Sequence, residues 1–318
     1  MTSITVNDSL PSTDVEDEVV TSHGDFPFPN TARKASQLVA ASSRTTLDPF
    51  DSVDWNRPID DSAFHTSPEL LSLYGTSVWD AMTEVERIEY SRHETAAIYG
   101  AGIWFENALM QVILRHLTTV DVTDPMHRYL LIEVADECRH STMFGEYIRR
   151  AGTPSYPASL PLEPDDSAAA RTLSYLLVLA VEELLDFVNR AAMRDERVHS
   201  TVREISRLHV LEEARHVAFA KSFLAETWPA LSEEDKVVVR ATAPALVAEV
   251  VKLNVNETVF DTLSIEDGYD IARSNPFHAA TVVTGLSKLT GFLADVGIID
   301  DDSAWIELGL LDAALPLD

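Results

Sequence analysis

The chain has 318 residues, 46% of them hydrophobic, and its 24 Lys and Arg face 52 Asp and Glu for a formal net charge of −28. That length supports a full apolar core, while so acidic a surface repels nucleic acid and anionic membrane and excludes both as expected partners. The first basic residue is Arg33 with no apolar stretch before it, Cys138 is the single cysteine, and no apolar run approaches the roughly 20 residues that span a bilayer, so a cytoplasmic protein is expected.

Residues 1–45 are rich in Ser, Thr, Asp and Glu with scattered Pro, which predicts an acidic mobile arm ahead of one helical domain over 46–318. From Pro49 to Tyr74, aromatics alternate with Pro58 and Pro68, as in an irregular wrap over a helical core. Four long helical patterns follow. The first runs from Thr83, with Glu86 three residues on in a capping-box pattern, to Leu117. The second runs from Met126 to Ala151 and stops at Gly152. The third, from Ser167 to about Asp195, is apolar almost all round near Leu176–Val181, and the fourth spans Val198 to Thr227 before Trp228-Pro229. Two further helices, Ser232–Leu253 with a kink at Pro244 and Asn275–Val296, flank these. Strand-type alternation is nearly absent, so the fold class is all-α, a four-helix bundle with additional flanking helices.

The chemistry lies in two related segments. In His209-Val210-Leu211-Glu212-Glu213-Ala214-Arg215-His216, residues 209, 213 and 216 share one helical stripe and aim two imidazoles and a carboxylate at one point. Asp136-Glu137-Cys138-Arg139-His140 repeats the form acidic-Glu-x-Arg-His, on a stripe with Leu130, Val134 and Phe144; Glu133 borders that stripe as an outer or rim group. Glu106 projects from the apolar face of Ile103, Leu109, Met110 and Ile113, where a carboxylate must be paired, protonated or metal-bound. On the third helix Glu182 shares its face with Tyr175, Val178 and Leu185, whereas Glu183 shares its stripe with Arg190 and Arg194. Glu182 is therefore the inward candidate. One Glu, Glu-x-x-His, one Glu and Glu-x-x-His from four successive helices form the inward set of a dinuclear carboxylate bundle. Four carboxylates balance two divalent cations, and oxygen with imidazole donors suits iron or manganese.

Asp136 and Glu212 each precede a ligand Glu and are placed to hold the histidine of the opposite helix, Asp136 to His216 and Glu212 to His140, with Arg139 and Arg215 balancing them or forming surface ion pairs. Cys138 lies off the ligand stripe and reads as a packing residue. Glu196-x-x-His199 fits the same motif but falls at a charged turn, so it is expected on the solvated surface. Gly102, four residues before Glu106, marks either a substrate or O2 pocket or close helix packing.

Glu106, Glu137-x-x-His140, Glu182 and Glu213-x-x-His216 resemble the ferritin-like di-iron superfamily. His209 narrows this: His-x-x-x-Glu-x-x-His resembles the p-aminobenzoate N-oxygenase family over roughly residues 55–300. The resemblance implies that Glu106, Glu137, His140, Glu182, His209, Glu213 and His216 hold two iron ions. It implies an enzyme that activates O2 and oxidises a small-molecule amine, in the family an aryl amine, through hydroxylamine and nitroso stages to a nitro compound. No catalytic side chain beyond the metal ligands is expected. The cation that holds an aminobenzoate carboxylate is not evident; Arg273 and Lys288 are the nearby candidates. No G-x-G-x-x-G fingerprint is present, so a separate electron donor is expected, and a homodimer is the expected assembly. Rival readings on the same bundle are a di-iron hydroxylase of another small molecule, a radical-generating subunit with Tyr175 as its tyrosine, and an iron-binding protein.

Overall fold

A computed structural model describes residues 27–44, 47–60, 62–160, 165 and 167–313. Its helices are α1 (Pro29–Ser42), α2 (Pro49–Ser52), α3 (Ser77–Ala81), α4 (Glu84–Leu117), α5 (Pro125–Ala151), α6 (Ala168–Ala192), α7 (Ser200–Thr227), α8 (Glu233–Leu253), α9 (Glu257–Leu263), α10 (Gly268–Arg273), α11 (Pro276–Asp295) and α12 (Ser303–Glu307). Among the described residues there is no strand, only an isolated bridge between Phe64 and Val198.

The helix ends follow from local chemistry. Thr83 Oγ1 accepts from Glu86 N and Glu86 Oε2 accepts from Thr83 N at 2.7 Å, so two otherwise unpaired donors at the start of α4 are satisfied at once. Asp124 caps α5 ahead of Pro125, and Gly152 ends it at φ 67°, a conformation in which a Cβ would be strained. Ser167 Oγ accepts from Ala170 N at the start of α6, and Ser232 does the same for α8. α8 runs on through Pro244 as an uninterrupted helix.

α4 packs along α5 and α6 along α7, and contacts of α4 with α6 and of α5 with α7 close the bundle. α8 and α11 cover α6 from outside. Two apolar clusters fill the interior. One gathers Leu109, Ile113, Leu130, Tyr175, Phe219 and Phe223; the other gathers Tyr99, Phe144, Tyr147, Val202, Ile205 and Leu208. Along α4, α5 and α7 the buried Glu and His residues fall between them, so the polar layer has aromatic and aliphatic packing on either side.

One expectation is corrected here. Residues 29–42 are not part of a mobile arm: Ala32, Ala35 and Leu38 are buried, and α1 docks on α5 and α7. Glu226 of α7 grips its N-terminus, accepting from Asn30 N at 2.9 Å and from Thr31 N at 2.6 Å, which places a carboxylate on the positive end of the helix. Residues 1–26 and 45 of the predicted arm lie outside the described residues. α4 is also long and apolar enough, by length and composition, to cross a membrane, although half of its most apolar stretch is buried in the fold.

Candidate metal centre

α4 to α7 converge the predicted residues. Glu106, Glu137, His140, Glu182, His209, Glu213 and His216 are all buried to within 2% of complete. Donor atoms of Glu106, His140, His209 and Glu213 lie within 4.8 Å of one another, and those of Glu133, Glu137 and His216 form a second group of three within the same distance. Glu213 joins the two groups: its Oε1 lies 2.9 Å from His140 Nδ1 and its Oε2 lies 2.8 Å from His216 Nδ1. Glu137 mirrors it from α5, 2.9 Å from each of the same two nitrogens. His209 Nε2 faces Glu213 at 3.6 Å and Glu106 at 3.8 Å. Glu182 projects inward, with Glu213, Glu106 and Glu137 as its charged neighbours. Glu183 turns away to Lys221, at 2.5 Å.

The far nitrogens of the two central imidazoles are held across the bundle. His140 Nε2 meets Glu212 Oε2 at 3.0 Å, and His216 Nε2 meets Asp136 Oδ2 at 3.3 Å. With Nε2–H given to a carboxylate, Nδ1 of each ring is left as a lone-pair donor pointing at the glutamates. Arg215 donates to Asp136 at 3.0 Å and stands 3.6 Å from Glu212; Arg139 pairs with Asp136 and also lies 3.6 Å from Glu212. These arginines balance the outer carboxylates and are not isolated surface charges.

The electrostatics show what such a layer demands. Burial pushes the carboxyls of Glu106 and Glu182 well above their ordinary range, helped by the neighbouring carboxylates, and burial takes Glu133 up to about 8. Burial works against charge on Glu137 and Glu213 too, yet the adjacent imidazoles outweigh it, holding Glu137 at about 2 and Glu213 well below the usual range. His140 and His216 rise correspondingly, in spite of burial, because carboxylates face them, whereas burial lowers His209 to about 4. The carboxylates therefore require positive charge in their midst. Metal ions fit that demand. Glu106 Oε1, Glu133 Oε2, Glu182 Oε2 and His209 Nε2 are buried without any hydrogen-bond partner, and such orphaned donors are tolerated where they can ligate. The donors are carboxylate oxygen and imidazole nitrogen with no thiolate, a set suited to iron or manganese.

Several positions differ from expectation. Glu133, read as a rim group, lies inside the second donor group, and its spacing of four from Glu137 on one stripe was the available signal. Asn189, not singled out from the sequence, puts Nδ2 3.2 Å from His209 Nδ1; it stands seven residues after Glu182, on the same face of α6. His199 is not on the solvated surface. It is buried, caps α7 by accepting from Thr201 N, and stacks on His65 at 5.7 Å, while Glu196 is exposed as expected. Gly102 is packed against Phe144, whose ring carbon would lie 3.3 Å from an added Cβ. The space beside it is about 10 Å³, too small for a substrate. Cys138 is exposed, with Met110 as its neighbour. Lys288 pairs with Asp186 at 3.2 Å, and neither it nor Arg273 lines the cavity that reaches the centre. Tyr175 spends its hydroxyl on His116 Nδ1 at 2.9 Å.

That cavity has a volume of about 570 Å³, within the range of ligand sites, and includes Glu106 and Glu182 among its walls of α4, α6 and α8. An all-α bundle carrying a buried layer of paired Glu-x-x-His motifs is ferritin-like, with a carboxylate–histidine cluster that could hold metal ions. Residues 29–297 match the family described as p-aminobenzoate N-oxygenase AurF, and the chain belongs to that family. Similar curated proteins are uncharacterized proteins of Mycobacterium bovis and Mycobacterium tuberculosis, each 28% identical over 206 residues. The match spans 61% of this chain and 61% of the length of those relatives.

Proposed function

We propose that the protein is an N-oxygenase of a small-molecule amine, with two iron ions held by Glu106, Glu137, His140, Glu182, His209, Glu213 and His216. Glu133 is a further carboxylate in reach of the second ion. The observation that carries the reading is the third imidazole: His209 Nε2, buried and without a hydrogen-bond partner, is directed at Glu106 and Glu213 in the same group as His140. Bound iron supplies the activation of O2. In the first oxidation one oxygen atom joins the amine nitrogen in place of hydrogen, giving a hydroxylamine. The second oxygen leaves as water with two protons and two electrons from a separate donor.

The chain's own residues set the conditions. Glu212 and Asp136 fix the rings of His140 and His216 and keep Nδ1 free to ligate. Asn189 holds His209 from behind. The two apolar clusters flank the polar layer on either side, and the cavity lined by the first of them gives access to Glu106 and Glu182. The test is to reduce iron-loaded protein, admit O2 in the presence of aryl amines, and analyse product mass. Hydroxylamine, nitroso or nitro products support the reading. Oxygen added only to carbon points to a hydroxylase, and no oxygen incorporation with any amine overturns the proposal.

A further inference from the structure

The cavity beside the metal centre has a direction. On α4, Phe105, Glu106, Leu109, Val112 and Arg115 line it, and on α6, Ala170, Ser174, Leu177, Val181 and Glu182 do so. Apart from the adjacent pairs Phe105/Glu106 and Val181/Glu182, these positions recur every three or four residues, so each helix lends one face to the wall. The two helices run oppositely along the slot. Glu106 and Glu182 share the buried end, while Arg115 shares the other with Asp165 and the start of α6. Burial falls along the way: Glu106 and Glu182 are 2% exposed, whereas Leu114, Arg115 and Asp165 are exposed. At 1.5 Å per residue, Glu106 to Arg115 covers about 13 Å of helix, and Glu182 to Ala170 covers about 18 Å. The walls between are mainly aliphatic side chains.

Arg115 is the cation among the lining residues at the open end, and among the described residues its side chain makes no hydrogen bond or ion pair. Asp165, the acid nearest in the lining, is engaged with Ser167, accepting from its backbone N at 2.8 Å and its hydroxyl at 3.1 Å. A guanidinium without a direct partner among the described residues therefore stands at the mouth of an apolar slot, on a chain with 52 acidic residues against 24 basic ones. A planar fork of donors is suited to a carboxylate or similar oxyanion.

We infer that the slot admits an elongated amphiphilic acid, with its anionic group at Arg115, an apolar body along α4 and α6, and its other end at Glu106 and Glu182. Such a ligand is longer than a single aryl ring with its substituents, which separates it from aminobenzoates. The inference rests on the metal centre as the seat of reaction only for which end reacts; binding itself does not depend on turnover.

The test is calorimetric titration of the metal-loaded full-length protein with laurate, with 1-dodecanol as the neutral probe of equal length, and with benzoate as the short anion. Laurate is expected to bind at least about tenfold tighter than either. Arg115→Ala should remove its advantage over dodecanol, and Arg115→Lys should retain part of it. Equal binding of laurate and dodecanol, no loss in Arg115→Ala, or benzoate binding as tightly as laurate overturns the inference. If Arg115→Ala lowers thermal stability with laurate affinity unchanged, Arg115 serves the end of α4 and the inference falls. Arg115-dependent laurate binding together with no oxidised amine would sustain the slot assignment while removing the N-oxygenase reading. Oxidised aryl amine with no laurate binding would do the reverse.

Discussion

Glu212 on α7 holds Nε2 of His140 on α5 at 3.0 Å, and Asp136 on α5 holds Nε2 of His216 on α7 at 3.3 Å. The reciprocity follows from one motif used twice: in each copy the acidic residue before the inward Glu points sideways, toward the histidine of the facing helix. Each carboxylate thereby fixes the tautomer of a ring it does not share a helix with. Replacing Glu212 by Gln should leave the fold intact but lower iron affinity about 10- to 100-fold, because outer partners of ligating imidazoles have effects of that size. Asp136→Asn should act in the same direction. Competition with a calibrated chelator reads this, and affinities equal to wild type would show that these pairs do not tune the centre.

Glu182 and Glu183 are adjacent, equally buried and opposed in role. Glu182→Gln should lower the iron bound per chain, since it removes a charge from the donor set. Glu183→Gln should leave iron content unchanged and cost about 1–2 kcal/mol of stability, the scale of a partly exposed charged hydrogen bond, by breaking the pair with Lys221. Elemental analysis and thermal melts of the two variants check this. Loss of iron in Glu183→Gln alone would reverse the helical phase argued for α6.

Much of the centre was legible because a helix converts spacing into direction. Glu137 with His140, and Glu213 with His216, are fixed on one face by a separation of three, and Glu106 and Glu182 betray themselves as charges on apolar stripes. Spacing could not decide how deep a neighbouring stripe lies, so Glu133 looked marginal until α7 was placed against it. α1 escaped notice because its stripe of Ala32, Ala35 and Leu38 is weak and its N-terminus is satisfied by Glu226, nearly 200 residues away. The slot at Arg115 is built by three helices and belongs to tertiary structure. His199 was misread because charged neighbours in sequence suggested solvent, whereas the bridge to Phe64 folds the preceding loop over it.

His199 therefore separates metal binding from stability. His199→Ala should keep full iron content, since the ring contacts His65 and the start of α7, not the donor groups. It should lower stability by about 1–2 kcal/mol through loss of the cap and the buried contact. Denaturant melts and iron analysis on the same sample distinguish the two effects; iron loss at unchanged stability would assign His199 to the centre.

Glu94 provides the pH dependence. It is buried on α4, away from the metal layer, where Oε1 accepts from Ser72 N and Oε2 from Ser72 Oγ, both at 2.9 Å, and Ser72 Oγ also meets Tyr90 at 2.7 Å. Burial raises its pKa to about 7, against 4.5 for the unperturbed group, with the hydrogen bonds from Tyr90 and Ser72 offsetting only part of the rise. Between these values the unfolded chain has lost the proton while the folded chain retains it, so the native state binds more protons and this group's contribution to stability falls as pH increases. The loss begins above about 4.5 and is complete once pH passes about 7, at roughly 1.4 kcal/mol for each unit of separation. Glu94→Gln keeps an acceptor for Ser72 N and cannot ionise. Its stability relative to wild type should therefore rise across that window and level off above it. Denaturant unfolding at several pH values, with both proteins in the same metal state, gives the difference directly. A difference independent of pH from 4.5 to 7 would mean that Glu94 ionises at its ordinary pKa within the fold.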